Sequence, residues 1–158
     1  VILFVPVILV SWYGSGEDVS RLYNPAPKPV VSDKCVVMVP LADPAMDLLN
    51  GKLHKFSILI EGENVVFLII KRPDGKLSVC LDACEICPTV GYGQSGGDLV
   101  CIYCMTPIPV ETLGKPGGCN PIPLGAIVAE KDIVIDVNEI SRKWQDVKTG
   151  KTRGGLKE

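Results

Sequence analysis

The chain has 158 residues, 47% apolar and 22% charged, with a formal charge of −2; this describes a folded domain and excludes both a disordered chain and a basic nucleic-acid-binding surface. Its one histidine excludes a multi-histidine metal site. Seven cysteines, an odd number, cannot all be paired internally.

The sequence opens on VILFVPVILV, Val1–Val10, which is apolar throughout. Ten residues fall short of the roughly 20 that a membrane-spanning helix needs, and Pro6 would break a short helix. The segment is expected to be the trailing half of a membrane anchor, a remnant of signal processing, or an arm buried in a neighbouring subunit. An N-terminal core strand is the ordinary alternative. An arm of this kind would give membrane-free self-assembly, and head-to-tail repetition would build a ring or a conductive filament. Ser11–Ser32 reads as a linker, flexible at Gly14-Ser15-Gly16 and extended through Asn24–Pro29. The division expected is therefore 1–32 arm or anchor plus linker, 33–147 folded domain, and 148–158 polar tail.

Within the domain, Val30–Val39 reads as a strand carrying Cys35. Asp43-Pro44 reads as a helix start leading into Ala45–Leu49 and stopping at Asn50-Gly51. Lys55–Ile60 and Val65–Lys71 are β-branched, apolar strands joined by Glu61–Asn64. Pro73-Asp74-Gly75-Lys76 is a turn into the strand Leu77–Leu81. Gly91–Asp98 reads as a hairpin tip, followed by Leu99–Ile102. Gly125–Ala129 and Ile133–Val137 form a second hairpin, and Asn138 is expected to cap a helix over Glu139–Val147.

The chemistry is concentrated in Leu81–Leu124. Cys84 and Cys87 form one C-x-x-C, Cys101 and Cys104 another, with thirteen residues between the pairs, and Cys119 follows in GGCNPIP. A C-x-x-C lets two thiolates grip one metal from a tight turn whose amides stabilise their charge. Two such turns supply four sulfurs to a tetrahedral zinc or to an iron–sulfur cluster; two disulfides between packed loops are the plain alternative. Thiol–disulfide exchange of the thioredoxin kind is disfavoured, because neither C-x-x-C opens a helix in a βαβ pattern. Cys35 and Cys80 lie outside the pairs and are expected either to form a disulfide, which an oxidising compartment permits, or to be two buried thiols. Tyr92 and Tyr103 are expected to pack over the site, Met105 to pack beside it, His54 to be a surface or packed histidine, and Asp82 and Glu85 to tune it or face water. No Ser–His–Asp set, phosphate loop or paired catalytic carboxylates stands out, so an enzyme is not expected.

The order of the pieces resembles the Rieske iron–sulfur domain: strands, a two-ligand loop, a Gly-rich hairpin, a second two-ligand loop and a Pro-rich covering loop. Here CEIC and CIYC place thiols where Rieske loops place histidines, and the first loop is one residue longer. From about Val39 to Ile140, the chain is similar to the FtrD-like family of membrane iron–sulfur proteins. NGKLHKF, RPDGKLSVCLDACEIC, CIYC and GGCNPIPL carry the resemblance, whereas Cys80 departs from the small residue usual there. The resemblance implies a mostly β, Rieske-like antiparallel fold with short edge helices. It implies a cluster, 2Fe–2S or 4Fe–4S, on Cys84, Cys87, Cys101 and Cys104, with Cys119 near or among the ligands. It also implies an extracytoplasmic, membrane-associated setting linked to ferrous-iron uptake. All-thiolate ligation would favour a potential near about −400 mV over the about −150 to +300 mV of Rieske centres. The expected role is one-electron transfer with a redox partner protein; a structural zinc-ribbon-like module of a metal-uptake system is the alternative.

Overall fold

Six consecutive apolar residues, Val65–Ile70 without interruption by a polar side chain, suit a strand covered on both faces rather than one facing water. The structure, a computed structural model, describes residues 18–151. In it these residues lie in β7 (Glu63–Lys71), an inner strand of a sheet ordered β1-β6-β7-β8, with β1 Lys28–Val30, β6 His54–Ile60 and β8 Leu77–Leu81. The β6–β7 and β7–β8 pairs are antiparallel and β1 runs parallel to β6.

Alternation along β7 and β8 divides the interior in two. Phe67 and Ile69 of β7 with Val79 and Leu81 of β8 face one core. That core is closed by a second sheet, ordered β12-β13-β3-β2, with β2 Ser32–Asp33, β3 Val36–Pro40, β12 Ala126–Val128 and β13 Asp132–Asp136. Helix α1, Val137–Thr149, packs Ile140 and Val147 into the same core. Leu68, Ile70 and Cys80 point the other way, into a smaller core shared with Cys84, Cys87 and Cys101. The central sheet is thus the wall on which the cysteine loops rest.

Those loops are carried by a third sheet, ordered β11-β10-β9, with β9 Tyr92–Ser95, β10 Asp98–Cys101 and β11 Pro107–Ile108. The turn between β9 and β10 is Gly96-Gly97, so the Gly-rich stretch is a hairpin as expected, with its first half in strand. The fold is mostly β, with antiparallel sheets and one α-helix among the described residues.

Several local readings are corrected. Ala45–Leu49 is not helical: β4 (Ala42–Asp43) and β5 (Met46–Asp47) pair as a short antiparallel hairpin. The Asp43 carboxylate does accept from Ala45 N–H at 2.8 Å, but the turn leads into alternating burial of Met46 and Leu48 rather than a helix. Val30–Val39 is broken at Lys34 and Cys35, both with positive φ, so Cys35 sits in the β2–β3 turn and not on a strand. The proline-rich end of the supposed linker is extended but docked, since Lys28–Val30 pairs with Phe56–Ile58. Helix α1 begins two residues earlier than expected because Asp136, not Asn138, caps it: its carboxylate accepts from Asn138 N–H at 2.8 Å. The reading of Val1–Val10 lies outside the described residues. Among those described, no helix is long and apolar enough to cross a membrane.

Candidate metal centre

Three loops meet at one end of the β9–β11 sheet. The first joins β8 to β9 and carries Cys84 and Cys87. Its turn is closed by the Cys87 N–H, which donates to Cys84 Sγ at 3.2 Å, the amide-to-sulfur contact that the C-x-x-C spacing favours. The second begins where β10 ends at Cys101. Met105 N–H donates to Cys101 O at 2.8 Å, closing a turn that contains Cys104, and a left-handed Met105 (φ 57°) directs the chain on to Thr106, whose carbonyl accepts from Cys101 N–H at 3.0 Å. Met105 therefore shapes the turn.

The third loop carries Cys119 and owes its placement to Pro121-Ile122-Pro123-Leu124. Ile122 N–H donates to Ala83 O at 3.1 Å and Leu124 N–H to Val79 O at 2.9 Å, while Leu81 N–H donates to Ile122 O at 2.8 Å. The prolines occupy the alternate positions, where no donor is needed, so the segment adds an edge to β8 despite them. From the far side, α1 holds the same segment: Lys143 Nζ bonds Pro123 O, and Glu139 accepts from Gly125 N–H at 3.0 Å. Finally, the buried Tyr92 donates its hydroxyl to Cys119 O at 2.6 Å.

The result is five sulfurs in two overlapping sets. Those of Cys84, Cys87 and Cys101 lie within 4.8 Å of one another, and so do those of Cys87, Cys104 and Cys119. Cys87 is common to both. The inner three are at most 5% exposed, whereas Cys119 is half-buried and Cys104 is exposed. Cys104 and Cys119 are 3.6 Å apart, and Cys104 Sγ is 3.0 Å from the Thr106 hydroxyl. That hydroxyl stabilises the thiolate and pulls Cys104 down to about 6. Burial pushes the Cys87, Cys101 and Cys119 thiols up instead. A bound cation would reverse that preference.

Below the first loop, Lys55 Nζ and Asp82 Oδ2 form an ion pair of 2.7 Å with side chains only 4% and 8% exposed. Asp82 also accepts from Tyr92 N–H at 2.8 Å. It fills the place where a side chain on Gly91 (φ +85°) would go, since a Cβ there would lie 2.5 Å from Oδ2. The sequence pointed to Asp82 without its partner; Lys55, Thr106 and the Tyr92 hydroxyl contact were missed. The signals were present as Asp82 two residues before Cys84 and Thr106 two residues after Cys104. Tyr103 does not cover the site, being 60% exposed. His54 lies at the start of β6, where Nε2 contacts Asn50 Oδ1 at 3.2 Å. Of the two alternatives for Cys35 and Cys80, neither a disulfide nor two buried thiols is found: both are free, Cys35 exposed in its turn and only Cys80 buried, where desolvation pushes it to about 12.

Residues 48–146 match the family described as membrane iron-sulfur containing protein, FtrD-like. The chain belongs to this family. Among curated proteins and solved structures, none matches it. The donor set fits what the family description implies: the FtrD-like chain gathers only thiols into these two sets, three of them screened from water. Cys84, Cys87, Cys101, Cys104 and Cys119 are the residues able to hold such a group.

Proposed function

We propose that this FtrD-like chain is an extracytoplasmic one-electron carrier rather than an enzyme. Cys84, Cys87 and Cys101 would hold an iron–sulfur cluster from within, and Cys104 or Cys119 would hold it from the solvent side. The observation that carries the reading is the convergence of five thiols from three loops in a chain of an iron–sulfur family. The order of the loops, with the proline segment closing over two paired knuckles, supports the Rieske-like comparison. The cluster, when bound, supplies a single-electron redox couple. The residues themselves fix its ligands, exclude water on the inner side and leave Cys104 open to a redox partner protein. Thiolates in place of imidazoles make the site more negative, which favours the oxidised form and a low potential. Val1–Val10 attaches the carrier in this reading, to a membrane or to a neighbouring copy, and iron uptake is its setting.

Iron and sulfide analysis with absorption and EPR spectra of the purified full chain tests the reading. Brown protein with matched iron and sulfide, and an EPR signal on reduction, supports it. Colourless protein containing one zinc overturns it in favour of a structural zinc module. One observation favours that second reading: tetrahedral zinc with Zn–S bonds of about 2.3 Å places its sulfurs about 3.8 Å apart, inside the spacing found in both sets. Sizing the chain with and without its first ten residues, in detergent and without it, tests the attachment.

A further inference from the structure

We propose that Cys104 and Cys119 form a dithiol pair that closes to a disulfide when no cofactor holds the site, and that this closure blocks loading until it is reduced. The inference stands on sulfur geometry, and it holds for a cluster or for zinc. The two sulfurs are already 3.6 Å apart, against about 2.05 Å in a disulfide. Just before Cys119, Gly117 and Gly118 have φ of +107° and +62°, with open space around both.

Access separates this pair from the other three sulfurs. Cys104 is exposed and Cys119 half-buried, while Cys84, Cys87 and Cys101 are buried against the central sheet. Cys104, being exposed, is the thiol of the pair that an oxidant meets first. With a low-molecular-weight disulfide as oxidant, the Cys104 thiolate attacks one of its sulfurs and expels one thiolate. Cys119 then gives up its proton and attacks the Cys104 sulfur of the mixed disulfide, expelling the second. Two protein thiols become one disulfide, and one small disulfide becomes two thiols.

Closure removes both outer sulfurs from the set they share with Cys87 and leaves only Cys84, Cys87 and Cys101 as thiols. Three thiolates do not complete the four-sulfur shell of zinc or of a cluster. The pair therefore makes an empty site refuse its cofactor under oxidising conditions, while the inner thiols stay protected by burial.

The test uses the full chain carrying Cys35→Ser, which removes the other exposed thiol, stripped of metal, reduced, and treated anaerobically with oxidised glutathione. Alkylation followed by peptide mapping is expected to show two thiols fewer and a Cys104–Cys119 link. Cobalt(II) titration should lose its tetrahedral thiolate spectrum after oxidation and regain it with dithiothreitol. In the Cys119→Ser variant, glutathione should remain attached at Cys104. An unchanged thiol number, a link between other cysteines, an unmodified Cys104 in that variant, or full cobalt binding by the linked form would each overturn the proposal.

Discussion

The hydroxyl of Tyr92 donates a 2.6 Å hydrogen bond to the carbonyl oxygen of Cys119, tying the first residue of β9 to the third loop of the metal centre. Tyr92 is buried against the inner cysteines, and burial raises its own ionisation well above the ordinary phenol range, so it stays a donor at any working pH. Tyr92→Phe keeps the ring and removes the bond, leaving a partly buried carbonyl without a partner at a cost of about 1–3 kcal/mol. Urea denaturation should show that loss, and alkylation of Cys119 in the metal-free protein should quicken. Unchanged stability together with an unchanged rate would show that the contact does not hold the loop.

The Lys55–Asp82 pair lies beneath the first cysteine loop with almost no exposure. Removing one partner of a buried pair strands the other charge and costs about 3–5 kcal/mol, whereas removing both costs far less. Lys55→Met should therefore be severely destabilising, and Lys55→Met with Asp82→Asn should recover most of the loss. The asparagine oxygen still accepts from Tyr92 N–H. Denaturation midpoints of the two variants decide it; a single variant as stable as the double would mean the pair is not buried in solution.

Cys87 is the sulfur common to both three-sulfur sets, whereas Cys104 and Cys119 are neighbours in only one of them. Cys87→Ser should abolish iron and sulfide incorporation. Cys104→Ser and Cys119→Ser should each retain part of it, because the remaining outer thiol can complete the shell, and the double variant should retain none. Equal losses in all three single variants would mean that no outer thiol substitutes for the other.

His54 is the only histidine. Desolvation is the largest influence on it and lowers its pKa below the ordinary 6.5. The unfolded chain therefore takes up the proton first as pH falls. The stability His54 contributes is complete above about pH 6.5 and is lost as pH falls through the lower folded-state value. Between pH 7.5 and 5.5 the native protein should lose stability to urea and a His54→Gln variant should lose less. Parallel curves would assign that loss to other groups.

The central strands and the cysteine knuckles were legible because their signals are local. An apolar run between polar turns and a doubled C-x-x-C do not depend on what packs against them. The hairpin at Ala42–Asp47 was misread because Asp43-Pro44 satisfies the rules for a helix start, and the deciding factor was burial of Met46 and Leu48 at a period of two. Pro121 and Pro123 carry no donor, and the donors at Ile122 and Leu124 are the ones that pair with Ala83 and Val79. That alternation could have been read in P-I-P-L had the register with Val79–Ala83 been known. The position of Cys119 was foreseen through the family resemblance; the Tyr92 bond that fixes its loop joins residues 27 apart and has no local signature.

The clamp of α1 on the third loop has a consequence for biogenesis. Lys143 and Glu139 hold Pro123 and Gly125 from a helix that the ribosome delivers after every cysteine has been made. The two knuckles can fold while the loop bearing Cys119 still lacks its outer support. A nascent chain halted before Asp136 would expose a half-built cradle, able to meet stray metal ions but not to close over them. The loop that bears Cys119 thus receives its outer latch only when the helix has been made.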